Sequence, residues 1–94
     1  MQRRLHLVAY DITCPKRWRR LFGLLKRRGA HRQLSVFIVL ADRLGIQALA
    51  VEIAAIIDPA KDAVLIAPID QEASTRLIEI GISGPMPGPV IVVM

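Results

Sequence analysis

From Leu5 to Asp11 the chain runs Leu-His-Leu-Val-Ala-Tyr-Asp, apolar but for His6 until it reaches an acid. Hydrophobicity this continuous predicts a strand covered on both sides, in the middle of its sheet. Alternation places Leu5, Leu7, Ala9 and Asp11 on one face of it. The period then changes. Trp18, Leu21, Phe22 and Leu25 recur at helical spacing, Thr13 or Cys14 can cap and Pro15 suits a first turn. With Gly29 as the stop after Lys26-Arg27-Arg28, the helix spans about Pro15 to Arg28.

His31 to Leu40 returns to strand character and reads as two short strands, or one bent strand, around Ser35. Ala41-Asp42 opens a second helix whose inward stripe is Ile46, Leu49, Ala50, Ile53 and Ile57, and Asp58-Pro59 ends it. Ala48, Val51, Ala54 and Ala55 leave that helix little polar face, which predicts a contact outside the chain. Asp62 begins the strand Ala63 to Ile69, where Pro68 marks an edge. Leu77 to Ile82 predicts a further extended piece. Gly84 to Pro89 is a Pro-Gly spacer, and Val90-Ile91-Val92-Val93 is a terminal strand too short to stand alone. Such a strand must pair with a sheet edge, and the spacer makes a partner protomer's edge the candidate.

The order βαββαβ predicts an α+β fold of ferredoxin-like type: an antiparallel sheet, two helices on one face, the first strand central, and an extra C-terminal strand. Ninety-four residues make one domain, 1–94, in which 84–94 serve as spacer and dimerising strand.

Charge changes this picture. Residues 1 to 35 carry ten cations against one anion, and residues 36 to 94 three against seven, so the halves stand at +9 and −4. A block that basic predicts a polyanion partner, and its interleaving with a folded pattern favours nucleic acid over membrane. The alternative is a solvated basic face. A single Cys14 excludes an internal disulfide and fits a reducing, cytoplasmic setting. The apolar stretch after Arg4 has no small-residue cleavage site, and Leu44 to Ile57 is shorter than the ~20 residues a bilayer requires.

The candidate chemistry lies where the first strand meets the first helix. Asp11 is the lone acid of the basic half, at a strand end where a rigid scaffold aims side chains into solvent. Lys16 and Arg17 occupy a helix start that favours negative charge, which points to a bound anion. In the structural reading Asp11 caps that helix and Asp62 is a turn residue. A Cys14 nucleophile with His6 or His31 as its base, and an aromatic sheet face for RNA, are both poorly supplied. Tyr10 and Phe37 are the strand aromatics, and there is no Asn to place water in an acylphosphatase-like site.

Taken in order, Tyr10-Asp11-Ile12-Thr13, Pro15-Lys16-Arg17-Trp18-Arg19-Arg20, Gly29, Gln33, Ser35-Val36-Phe37, Ile57-Asp58-Pro59 and Asp62 resemble the CRISPR-associated protein two family. That resemblance covers nearly the whole chain. It implies a two-fold homodimer with the two first-strand aspartates near its axis and C-terminal strands crossing the interface. It also implies a metal-dependent endonuclease of spacer acquisition, with Asp11 as the metal-associated acid, Tyr10 its neighbour in the catalytic site, and Mg2+ or Mn2+ as the cation. Lys16, Arg17, Arg19, Arg20 and Arg32 would be the contacts to DNA or RNA. The family alternative is a non-catalytic scaffold that binds duplex DNA and a CRISPR integrase subunit. Cys14, Pro15 and Ile38 stand where the family often carries polar or acidic residues.

Overall fold

The computed structural model describes residues 2–85, the side chain of Gln71 excepted. Its elements are β1 (Arg4–Asp11), α1 (Pro15–Arg28), β2 (Ala30–Gln33), β3 (Val36–Ala41), α2 (Arg43–Ile56), β4 (Ala63–Ile69) and a short α3 (Gln71–Thr75). The four strands form one antiparallel sheet in the order β2-β3-β1-β4. The first strand is therefore interior and the Pro68-bearing strand an edge, as the pattern predicts.

One face of the sheet is packed. Val8 and Tyr10 of β1 and Phe37 and Val39 of β3 share a core with Leu21, Leu24 and Leu25 of α1 and Leu49 and Ile53 of α2. Both helices thus lie on one side. Full burial of side chains this size contributes about 1.5–3 kcal/mol each. Among the described residues the other face is covered only in part: Ile38 of β3, across from Leu7, is buried there at 1% exposed, so the expectation of a strand covered on both sides is corrected only toward β4. Leu5, Leu7 and Ala9 are only half-buried there, and Leu65, across from Ala9, is 60% exposed. An apolar run is as compatible with a face awaiting cover as with one already covered.

The helix boundaries follow local chemistry. Cys14 is the N-cap residue of α1 and makes no side-chain capping bond, so neither Cys14 nor Thr13 plays the expected capping role. Asp42 does cap α2, its Oδ1 accepting from the Gly45 amide at 2.7 Å. The α2 stripe is Leu49 and Ile53 flanked by Ile46, Ile56 and Ile57; Ala50 lies outside it, exposed. Gly29 ends α1 in extended backbone that any residue could adopt. The requirement there is space, since a Cβ would stand 2.6 Å from the Ile38 carbonyl oxygen.

After β4, Asp70 caps α3 through the Ala73 amide at 2.6 Å, a turn of helix the sequence pattern did not predict. Leu77 to Ile82 forms no strand. This segment instead returns to β2: Glu79 pairs with Arg32, Ser83 accepts from Gln33, and the Gly84 amide donates to the Arg32 carbonyl at 2.7 Å. A Cβ on Gly84 would fall 1.9 Å from the His31 carbonyl oxygen, so only glycine can lie this close. The expected terminal strand Val90 to Val93 lies outside the described residues, as does most of its spacer. No helix of the described residues is long and apolar enough to cross a membrane.

Candidate functional site

Asp11 is the last residue of β1, its backbone in register with Ala63 of β4. Odd-numbered β1 side chains leave the packed face, and the Asp11 carboxylate is exposed with no hydrogen bond or ion pair to any described residue. It does not cap α1. The expectation that Tyr10 stands beside it holds along the chain and not in space. Tyr10 turns into the core, where it lies tilted against Phe37 at 6.2 Å and its hydroxyl donates to the Leu34 carbonyl at 3.3 Å. Burial pushes its phenol up, away from any range in which it would give up a proton readily.

The start of α1 is held by an acid from the far half of the sequence. Asp62 is buried, and its Oδ2 accepts from Arg17 Nε at 2.7 Å and from the Asp58 amide at 2.9 Å. Its Oδ1 accepts from the Thr13 amide at 3.0 Å, the Thr13 hydroxyl at 3.1 Å and Arg17 Nη2 at 3.2 Å. The Arg17 guanidinium, and then the amide and hydroxyl donors, hold this carboxyl well below the usual carboxylate range, against the opposing effect of desolvation. The same contact raises Arg17. This network ties the loop before β4 to the junction after β1, and so fixes the direction in which the chain leaves Asp11. Asp62 is therefore more than a turn residue.

The predicted phosphate contacts divide. Lys16, Arg19 and Arg20 are exposed. Arg17 is engaged by Asp62 and Arg32 by Glu79, whose carboxyl is lowered by that arginine. Arg19, Arg20 and Arg27 line a groove of about 480 Å3 between α1 and α2, with Glu52 on its other side. His31 is half-buried, stacked on Phe37 at 4.7 Å and edge-on to Phe22 at 5.1 Å, so it belongs to the aromatic packing more than to a surface. The Cys14 sulfur makes no capping bond, yet the nearby Arg17 and Lys16 amides lower its thiol.

Among the described residues no three His, Cys, Asp or Glu side chains cluster as a ready-made metal site. Magnesium needs fewer from the protein, since one or two carboxylates, water and substrate phosphate commonly complete its shell. Asp11 fits that requirement as an accessible, uncommitted carboxylate.

The sequence signals for Asp62 and Glu79 are faint. Arg17 partners an acid 45 positions away, and Arg32 one 47 away. The clue for Asp62 is indirect: cations at a helix start call for a neutralising acid, and Asp62 follows the breaker Asp58-Pro59 that brings the chain back to the sheet.

Residues 4–76 match the family model described as CRISPR associated protein Cas2. A protein from Geobacter sulfurreducens named CRISPR-associated endoribonuclease Cas2 is 44% identical over 62 residues, 66% of this chain, and the matched part spans only 65% of that relative's length. A Chloroflexus aurantiacus protein named CRISPR-associated endoribonuclease Cas2 3 is 32% identical over 81% of this chain and 82% of its own. Among solved structures, a hypothetical protein from Thermus thermophilus superimposes with a TM-score of 0.75 at 34% identity, over 92% of this chain and 99% of that one. Cas2 of Streptococcus pyogenes superimposes at 0.74 and 24% identity, over 82% and 99%, a likeness of fold.

Proposed function

The chain belongs to the CRISPR-associated protein Cas2 family, and from that premise we propose that it is a metal-dependent endonuclease of spacer acquisition, hydrolysing phosphodiester bonds as a homodimer. The observation that carries this reading is the Asp11 carboxylate, exposed, unengaged and placed at the strand end that opens into a basic helix. The names of the Geobacter and Chloroflexus relatives favour RNA as the substrate.

In this reading Asp11 holds Mg2+ or Mn2+, and a two-fold partner supplies a second copy of the same carboxylate. The cation supplies charge neutralisation and an activated water. Lys16, Arg19 and Arg20 hold the backbone by its phosphates, which gives affinity with little sequence preference. Arg17 positions the junction through Asp62, and Arg32 holds the 79–84 segment through Glu79. Tyr10 contributes from the core by fixing the end of β1 against Leu34. The half-buried Leu5, Leu7 and Ala9 and the exposed Leu65 support dimerisation, since apolar surface of this kind is favoured under a second copy.

A second reading has its own support. Because the exposed Lys16, Arg19 and Arg20 can hold phosphates whether or not cleavage follows, a non-catalytic scaffold binding duplex DNA and a CRISPR integrase subunit accounts for the basic helix equally well. Cleavage assays on single-stranded RNA and duplex DNA, with Mg2+, Mn2+ or chelator, separate the two. The nuclease reading expects metal-dependent cutting by the wild type that Asp11→Asn abolishes while binding persists. Tight binding without cutting in any metal, or equal cutting by Asp11→Asn, would leave the scaffold.

A further inference from the structure

The end of β1 away from Asp11 holds a second concentration of unmatched charge. There the packed face of the sheet opens into a cleft of about 410 Å3. Register explains the opening. Ala41 stands across from Arg4 and Pro68 across from His6, so no long apolar side chain from a neighbouring strand fills the space before α2 begins. Gln2, Arg4 and His6 line the cleft from the β1 side, and Arg43 and Ile46 from the first turns of α2.

Two features mark this cleft as more than a packing defect. Arg4 and Arg43 are both exposed, and the guanidinium of neither forms an ion pair or hydrogen bond with a described residue. Second, His6 is only 7% exposed, and its Nδ1 is sealed without a hydrogen-bond partner among the described residues. A buried imidazole nitrogen left unmatched is unfavourable. A lone pair is easier to leave unmatched there than an N–H, which favours the tautomer that carries its proton on Nε2. His6 lines the cleft, and with Nδ1 sealed Nε2 is the nitrogen left to act as a donor. Asp42, which precedes α2, has Oδ1 engaged by the Gly45 amide, and Asp70 lines the adjoining cleft that shares Arg4.

We infer that this cleft is a phosphate-binding site, with the guanidinium groups of Arg4 and Arg43 and the imidazole N–H of His6 as its donors. Guanidinium forks match phosphate oxygens two at a time, and donors converging from a strand and a helix suit a tetrahedral anion better than a planar one. The volume admits a phosphate with its attached sugar. The inference does not rest on the nuclease reading, because inorganic phosphate is its first probe.

The test follows the two histidine rings by NMR while sodium phosphate is titrated into the full chain at constant ionic strength. His6 should shift along a saturating curve and His31, packed on Phe37, should not. Arg4→Gln/Arg43→Gln changes two exposed side chains and should weaken the apparent affinity at least tenfold with an unchanged circular dichroism spectrum. Proportional drift of both rings, the same curve in the double variant, or an equal response to sodium acetate would overturn the site. RNA trinucleotides with a 5′-phosphate or a 5′-hydroxyl then identify the source. Competition by the first alone assigns a terminal monoester, by both a backbone phosphodiester, and by neither free phosphate.

Discussion

Along β1 the even-numbered side chains His6, Val8 and Tyr10 go under the helices, while Leu5, Leu7 and Ala9 stay partly exposed on the opposite side and Asp11 is exposed there. The two faces differ little in composition, since each carries apolar residues and one titratable group near its last position. Their environments differ. On the packed face the Tyr10 hydroxyl has a carbonyl partner and burial makes it a poorer acid, whereas on the open face the Asp11 carboxylate has neither partner nor cover. Chemistry on this strand is therefore allocated by pleat direction, and two adjacent residues have opposite availability.

The contrast is most severely tested by stability. Phe37→Ala, at the centre of the packed face, should lower unfolding free energy by about 3–5 kcal/mol in urea titrations. Leu65→Ser on the open face should change it by no more than about 0.5 kcal/mol in the monomer. A comparable, concentration-dependent loss for Leu65→Ser would show that a second copy covers the open face, and the asymmetry would then belong to one chain alone.

Asp11→Asn examines the same contrast through chemistry. Cleavage should fall by about two to three orders of magnitude, the size of effect seen when one charge-stabilising group is removed, while the urea midpoint stays put. A variant that loses stability instead would place Asp11 in the fold.

The junction network gives a pH signature. Asp62 has a lower carboxyl pKa folded than unfolded, so the unfolded chain takes up its proton first as pH falls. The stabilisation is complete above the ordinary carboxylate value of about 3.9 and is lost progressively as pH falls below it toward the folded value. Wild type and Asp62→Asn should differ in thermal midpoint at neutral pH and converge in acid. A constant difference between pH 7 and pH 3 would contradict the Arg17–Asp62 pairing.

On the packed face a smaller effect than that of Phe37→Ala is expected of Tyr10→Phe, which removes one hydroxyl-to-carbonyl bond and should cost about 0.5–1.5 kcal/mol with cleavage intact. Cleavage that fell with it would bring Tyr10 into the reaction despite its orientation.

How much of this was legible in the sequence depends on the range of the signal. The limits of α1, the interior place of β1 and the edge place of β4 rest on Pro15, on a continuous apolar run and on Pro68, all local marks. Two open ends of the reading had no local mark. A partly covered sheet face looks the same in sequence as a fully covered one, and the partners of Arg17 and Arg32 lie more than 40 positions away. Arg17 and Arg32 read as phosphate contacts for the same reason, because an arginine's partner cannot be read from its neighbours. Ala50 fails for a simpler cause: its size makes it compatible with either side of a helix. In the candidate site, Asp11 was visible as a lone acid in a basic field, and what only the structure adds is that nothing described engages it.

The close pass of Gly84 along β2 has a consequence for how the sheet can grow. A two-edged sheet can extend at both margins, and identical copies joined that way make an open-ended fibre. Here the returning chain donates to the Arg32 carbonyl and lies against His31, so the β2 margin is already occupied by its own tail. Only the β4 margin remains for an added strand among the described elements. Among the described residues, edge-to-edge addition is therefore hindered at β2 and left to the β4 margin.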